Sequence, residues 1–324
     1  DHIGLPKLVL ETEILTQYLS VLLAFSVLLT VLFSYCYVHF FMTQIFPMIP
    51  EVTNCVKDWL TINFWELCFY FINRNNIKFE VHGTPDIGDS GIVICNHQSI
   101  VDFIALAFLK RSVTKEKLLQ PKLLFFTWAT LWEVPNPKLI VRMGKYNENW
   151  ELDPALCSKT LREMTDESTI NWIALLPEVN IFTERDHRWQ SMYGEKYFLP
   201  KLLNVLYPRF SGLYNILQYV NNEVPNQYDS IYDITIIYLR KENHDSRKLF
   251  TPPTLFEVFS RSTDIVIQVH VSIVKISKVS TKRKDYEKWL EKRWISKDRQ
   301  IEQLKVQLYE RETLNQAQTS PHSS

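Results

Sequence analysis

The residues best suited to chemistry are His97 and Asp102. They lie within Gly91–Arg111, GIVICNHQSIVDFIALAFLKR. The chain holds eight histidines, and among them only His97 has an aspartate five places on. A carboxylate on one ring nitrogen fixes the imidazole tautomer and makes the other nitrogen the better base. Such a base takes a proton from a hydroxyl or from water. The pair alone is a weak signal, because a satisfied histidine at a strand end has the same spacing.

The elements around the pair must bring it together. Gly91–Cys95 is a short apolar run with Ile92, Val93 and Ile94 in a row, and reads as a buried strand. Asn96–Ser99 is a polar break in which Ser99 can cap a helix. Ile100–Leu109 has no breaker and reads as that helix. Strand, tight loop and helix put His97 in the loop and swing Asp102 beneath it. The helix N-terminus turns N–H groups toward the same space, which suits developing negative charge. Those near Gln98 and Ser99 are expected to hold an oxyanion.

The longer string Asn96-His97-Gln98-Ser99-Ile100-Val101-Asp102 after a strand resembles the NHxxxxD signature of the glycerophospholipid acyltransferases, the PlsC-like 1-acylglycerol-3-phosphate acyltransferase superfamily. The NHQS form looks like its eukaryotic lysophospholipid branch. Lys138-Leu139-Ile140-Val141-Arg142 resembles a second family block without its usual first glycine. That block implies that Arg142 helps hold the acceptor phosphate, a contact suited to a bidentate guanidinium. Asn171–Leu176 reads as a buried strand, and the Pro177-Glu178 that follows resembles a Pro-Glu-Gly block whose glutamate lies by the acceptor site. Val179 stands where the family has glycine, and valine is not expected to take a positive φ or to let backbone approach a ligand closely. Arg185 and Arg188 are candidates for the basic residue that follows. Leu199–Arg209 resembles a fourth block, a strand ending in proline, with Pro208 and Arg209 shaping the acyl or acceptor cleft.

Composition narrows the alternatives. Thirty-six basic residues balance thirty-six acidic ones, so there is no electrostatic case for nucleic acid. Only seven glycines are present, and no GxGxxG, P-loop or GxSxG pattern occurs, which removes the commonest nucleotide and hydrolase readings. The five cysteines form no CxxC pair and read as reduced; no zinc site is visible. Between Glu13 and Glu51 there is no Asp, Glu, Lys or Arg. The stretch Leu15–Met48, with its apolar core at Tyr18–Phe46, exceeds the roughly 20 residues that span a bilayer. It is too long for a signal peptide, and aromatics crowd its C-terminal end as at a membrane interface. Pro47 and Pro50 end it. Trp59–Ile72 is a second apolar helix, either interfacial or an ordinary core helix. The chain begins at Asp1 rather than Met, as a fragment or a processed product would.

Further strands are expected at Ile77–Val81, Lys122–Trp128, Leu139–Met143, Ile231–Leu239 and Asp264–Ile276, the last two with period 2. Helices are expected at Asp153–Thr165 and Thr281–Glu310. Tyr232–Tyr238, HVSIVKI and WLEKRWISKDRQIEQL look like the C-terminal domain of the lysophosphatidylglycerol, lysocardiolipin and related acyltransferases.

The expected fold class is α/β, a mixed sheet flanked by helices, preceded by an N-terminal transmembrane helix. Residues 1–52 form the membrane segment, 53–215 the acyltransferase domain, 216–311 its C-terminal region and 312–324 a disordered tail. The resemblance implies a membrane-bound acyl-CoA:lysophospholipid acyltransferase of the endoplasmic reticulum or mitochondrion. Its catalytic residues would be His97 and Asp102. Its substrate-side residues would be Asn96, Gln98, Ser99, Arg142, Glu178, Arg185, Pro208 and Arg209. Its partners would be lysophospholipid, acyl-CoA as co-substrate and the bilayer, with no metal and no cofactor. Two other readings stay open: a non-catalytic, membrane-anchored lipid-binding relative, and a hydrolase in which the pair activates water.

Overall fold

The computed structural model describes residues 4–45, 50–83, 87, 89–113, 121–127, 130–135, 153–165, 169–241, 248–259 and 264–319. The chain divides into two compact units. One is built on α1 (Gly4–Ile45), α2 (Pro50–Arg74) and α7 (Leu255–Phe259). The other holds the sheet: β1 (Lys78–Gly83), β2 (Gly91–Cys95), β3 (Lys122–Thr127), β4 (Thr130–Trp132), β5 (Asn171–Leu175), β6 (Ser230–Arg240) and β7 (Ile265–Lys275). Its helices are α3 (Val101–Val113), α4 (Pro154–Met164), α5 (Glu184–Lys196), α6 (Ser211–Glu223) and α8 (Arg283–Thr319).

In the first unit, Val21, Ala24, Leu28 and Leu32 form one narrow buried row on α1, while Leu15, Leu19, Leu22, Leu23 and Phe33 are exposed. Phe25 meets Phe259 edge-on at 5.4 Å, and Phe71 meets the same ring at 6.0 Å. Within α1, Thr12–Val38 is long and apolar enough to cross a membrane: its 27 residues span about 40 Å at roughly 1.5 Å per residue, against a hydrocarbon core of about 30 Å. The second apolar helix begins at Pro50, earlier than the sequence suggests, since proline suits a first helical turn. Its Phe64, Trp65, Cys68, Phe69 and Ile72 are buried, and Trp59 and Tyr70 are exposed.

The sheet order is β1-β7-β6-β2-β5-β3-β4. β2 runs parallel to both β5 and β6, β5 runs parallel to β3, and β4 is antiparallel to β3, so the sheet is mixed and α/β as expected. β6 joins β2, so residues assigned to the acyltransferase domain and to its C-terminal region share one sheet. The β2 and β5 strands are buried at every position, as central parallel strands are. Gly91 is required by packing here: a Cβ would stand 2.3 Å from the Tyr232 ring.

Three expectations change. Leu199–Arg209 is not a strand; its N–H groups bond to side chains and to the Gly194 and Pro177 carbonyls instead of a ladder, and Pro200 and Pro208 have no N–H to offer. The expected C-terminal tail starts too early, because α8 continues to Thr319. α5 and α6 arise where the sequence reading assigned no helix. The strand expected at Leu139–Met143 lies outside the described residues.

Candidate active site

The site is built at the C-terminal end of β2, where the chain leaves the sheet. β2 pairs with β6 up to Cys95 and Ile234. Asn96 then extends the pairing with its side chain: Nδ2 donates to the Ile236 carbonyl at 3.0 Å, and Oδ1 accepts from the Ile236 N–H at 2.8 Å. The amide replaces a ladder residue and frees the backbone to turn. Asn96 is fully buried, so its task is to shape the loop rather than to touch substrate.

His97 follows, with Nδ1 at 2.9 Å from Asp102 Oδ2. The same carboxylate oxygen accepts the N–H groups of Gln98 at 2.7 Å and Ser99 at 3.0 Å. The other oxygen accepts the Tyr238 hydroxyl at 2.5 Å. Four donors thus surround one fully buried carboxylate in the first turn of α3, where the helix N-terminus also favours an anion. An ionised Asp102 makes Nδ1 the protonated nitrogen and leaves Nε2, turned away from it, as the base. Phe103 stands edge-on to the imidazole at 5.6 Å and packs in turn on Phe125 and Trp132, which holds the ring in place.

This arrangement corrects the oxyanion assignment. The Gln98 and Ser99 N–H groups are engaged by Asp102, so neither faces an incoming oxygen. The His97 N–H is engaged as well, by Glu178 Oε1 at 3.2 Å. Ser99 Oγ accepts from the Val101 N–H at 3.2 Å, the capping role read from the sequence.

Glu178 also has a different task from the one expected. Its second oxygen accepts the Leu206 N–H at 2.8 Å, and it is 1% exposed. It therefore ties the His97 loop to the 199–209 segment. Burial pushes its carboxyl up to about 8, against the two N–H bonds, which favour the ionised form. The turn after it closes on the same residue, with the Phe182 N–H donating to the His97 carbonyl at 2.8 Å. Further support comes from Gln98, whose Nε2 donates to the Asn204 carbonyl at 2.8 Å. Asp298 of α8 accepts the N–H groups of Leu203 and Asn204 at 2.9 and 2.6 Å. A C-terminal helix is thus connected to the His97 loop by two hydrogen-bonded steps.

Val179 departs from expectation in an instructive way. It takes φ +66°, the left-handed region that the family glycine would occupy freely. For a β-branched residue this conformation costs on the order of 1–3 kcal/mol. Val179→Gly should therefore stabilise the chain by about 1 kcal/mol, after the greater unfolded-state freedom of glycine is subtracted. Chemical denaturation of the two purified forms would check this, and a less stable glycine variant would show that the valine side chain contributes packing that outweighs the strain.

Of the remaining expected residues, Pro208 is buried and Arg209 is half-buried, with its N–H donating to the Pro177 carbonyl at 2.7 Å beside Glu178. Burial holds the Arg209 guanidinium below its ordinary range. Arg185 lies on the outer surface of α5, paired with Asp186. Arg142 lies outside the described residues. Sequence reasoning missed Tyr238, Asn204 and Asp298. Tyr238 carries the one available signal, a buried polar hydroxyl in an apolar strand, which needs a partner.

No protein-family model matches the chain. A probable 1-acyl-sn-glycerol-3-phosphate acyltransferase 5 of Arabidopsis thaliana is 28% identical over 252 residues, covering 74% of this chain and 60% of that protein. The 1-acyl-sn-glycerol-3-phosphate acyltransferase epsilon of Mus musculus is 25% identical over 71% of this chain and 62% of its own length. Lysocardiolipin acyltransferase 1 of Gallus gallus is 23% identical over 76% of this chain and 61% of its own length. The chain is thus similar to proteins named as 1-acyl-sn-glycerol-3-phosphate and lysocardiolipin acyltransferases. It spans about three fifths of the length of these relatives. The NHxxxxD resemblance therefore coincides with a wider similarity to these named acyltransferases.

Proposed function

We propose that the chain is a membrane-bound acyltransferase that moves a fatty acyl group from acyl-CoA to a free glycerol hydroxyl of a lysophospholipid. The His97–Asp102 contact at 2.9 Å, with Tyr238 and two backbone N–H groups completing the carboxylate shell, carries this reading. His97 Nε2 removes the hydroxyl proton as the oxygen attacks the thioester carbonyl. The C–O bond forms, the tetrahedral intermediate collapses, and the C–S bond breaks. The imidazolium, stabilised by Asp102, returns its proton to the departing thiolate. No covalent enzyme intermediate is needed. Arg142 and Arg209 are the proposed cations for an anionic head group such as that of lysophosphatidate or lysophosphatidylglycerol.

The membrane setting is supported by α1, and the endoplasmic reticulum or the mitochondrion is the proposed location. The non-catalytic reading draws its support from Val179 and from the altered second block at Lys138–Arg142, which lies outside the described residues. Since Val179 keeps the left-handed backbone, that departure no longer favours it. The test is acyl transfer from labelled acyl-CoA to a panel of lysophospholipids, run with the purified full chain. Transfer to one or more acceptors is expected, with anionic head groups preferred. Release of free fatty acid without acceptor dependence would favour the hydrolase, and no turnover of any kind would favour the non-catalytic relative.

A further inference from the structure

α5 is amphipathic the wrong way round for a helix on a water-soluble surface. Its inward positions include His187, Gln190, Ser191 and Gly194, none of them a large apolar residue. His187 Nε2 lies 2.6 Å from the Leu202 carbonyl, and Gln190 Oε1 accepts the Tyr207 N–H at 2.7 Å, so this face is held by polar contacts. The outward row runs Arg185, Arg188, Trp189, Met192, Tyr193, Lys196 at helical spacing. Trp189 is 56% and Met192 72% exposed. The Trp189 and Tyr193 rings pack on each other at 4.4 Å, and Met192 is exposed on the same helix face.

The helix ends in a second unusual feature. Phe198 takes φ +55° and is 96% exposed. The Leu199 N–H closes the turn on the Gly194 carbonyl at 2.9 Å. Glycine is the usual residue at such a helix end. Here a phenylalanine occupies it and buries nothing within the chain. A strained backbone and a fully exposed ring are two costs that a partner outside the chain would offset.

The chemistry of the patch selects the partner. Trp and Tyr in the middle, with Arg and Lys at the margins, is the pattern of a bilayer interface, where aromatic rings sit at headgroup level and cations meet phosphates. Arg185, Arg188, Lys196 and Lys201 supply the cations; Glu184 and Asp186 at the edge pair with Arg188 and Arg185, and Glu195 is exposed beside Lys196, so four cations stand against three carboxylates. We infer that α5 and the Tyr197–Leu199 turn form a membrane-docking surface that inserts Phe198, Met192 and Trp189 into the headgroup region of an anionic bilayer. This surface lies outside α1 and does not depend on the chemistry assigned to His97. It does bear on it, because the Phe182 N–H just before α5 is bonded to the His97 carbonyl.

The test uses the full chain with Cys36 and Cys55 replaced by Ala and an environment-sensitive fluorophore on Phe198→Cys. The protein is reconstituted in phosphatidylcholine vesicles containing phosphatidylglycerol, some of whose lipids carry a spin label near the headgroup. The expected result is blue-shifted emission, loss of fluorescence with the spin-labelled lipid and protection from aqueous iodide. All three effects should weaken when Trp189 and Met192 are replaced by Ser, and when phosphatidylglycerol is omitted. Quenching by iodide and not by lipid would overturn the proposal. So would protection that appears only at high protein density in the vesicle, since the patch would then meet a second copy. None of these readouts needs acyl transfer, so an inactive protein would leave the test intact.

Discussion

His97→Ala should lower acyl transfer by about 10²–10⁴-fold, the usual contribution of a positioned general base, while leaving the fold intact. The imidazole contacts Asp102 and Phe103, and the backbone N–H and carbonyl of residue 97 would keep their bonds to Glu178 and Phe182. Asp102→Asn tests the same pair more finely. The asparagine can turn its oxygen toward the three donors at the Oδ2 position, and the Tyr238 hydroxyl can then accept from its Nδ2, because a phenol is both donor and acceptor. The tautomer of His97 survives that change, and what disappears is the charge that stabilises the imidazolium. The expected loss is therefore roughly 10²–10³-fold, less than the about 10⁴-fold of a triad that also loses its tautomer. Single-turnover transfer by the purified variants measures both. Near-normal turnover of His97→Ala would remove His97 from the mechanism.

Glu178→Ala should have the largest effect on stability at the site. It leaves the N–H groups of His97 and Leu206 buried without acceptors, at about 1–3 kcal/mol each. The sum is a large part of the roughly 5–15 kcal/mol that holds a typical domain together. Glu178→Gln keeps one acceptor and sets an NH₂ group against the other N–H, so it should be intermediate. The pH dependence separates the ionisable residue from its amide. The Glu178 carboxyl titrates near 8 when folded and near its ordinary 4.5 when unfolded. Between those values the folded state binds more protons, so its contribution is full below pH 4.5 and is lost as pH rises through about 8. The stability of the parent chain should fall relative to Glu178→Gln across that window, as read by urea denaturation at several pH values. Parallel curves would mean that Glu178 stays ionised throughout.

The His97–Asp102 pair was legible because it is local. Five residues separate His97 from Asp102, and a strand end followed by a helix start brings them together without help from the rest of the chain. The central strands were legible for a similar reason: Gly91–Cys95 and Asn171–Leu175 are short, mostly apolar runs without charge, and carry Ile92, Val93 and Ile94 in the one and Trp172 and Ile173 in the other, as buried parallel strands do. The α1 segment was legible from the absence of charge alone.

Tertiary structure decided what surrounds the pair. Tyr238 lies 136 positions from Asp102, Glu178 lies 81 from His97, and Asn204 lies 106 from Gln98. No local pattern links them, and β6 is buried at ten consecutive positions, so periodicity could not single out Tyr238. The 199–209 segment reads as a strand because its residues are apolar, yet its N–H groups are claimed by Glu178, Gln190 and Asp298. A hydrogen bond between a backbone group and a distant side chain leaves no periodic trace in either stretch. The sequence alone therefore carried the base and its orienting carboxylate, and only the folded chain showed which N–H groups were already engaged and that Val179 accepts the backbone of a glycine.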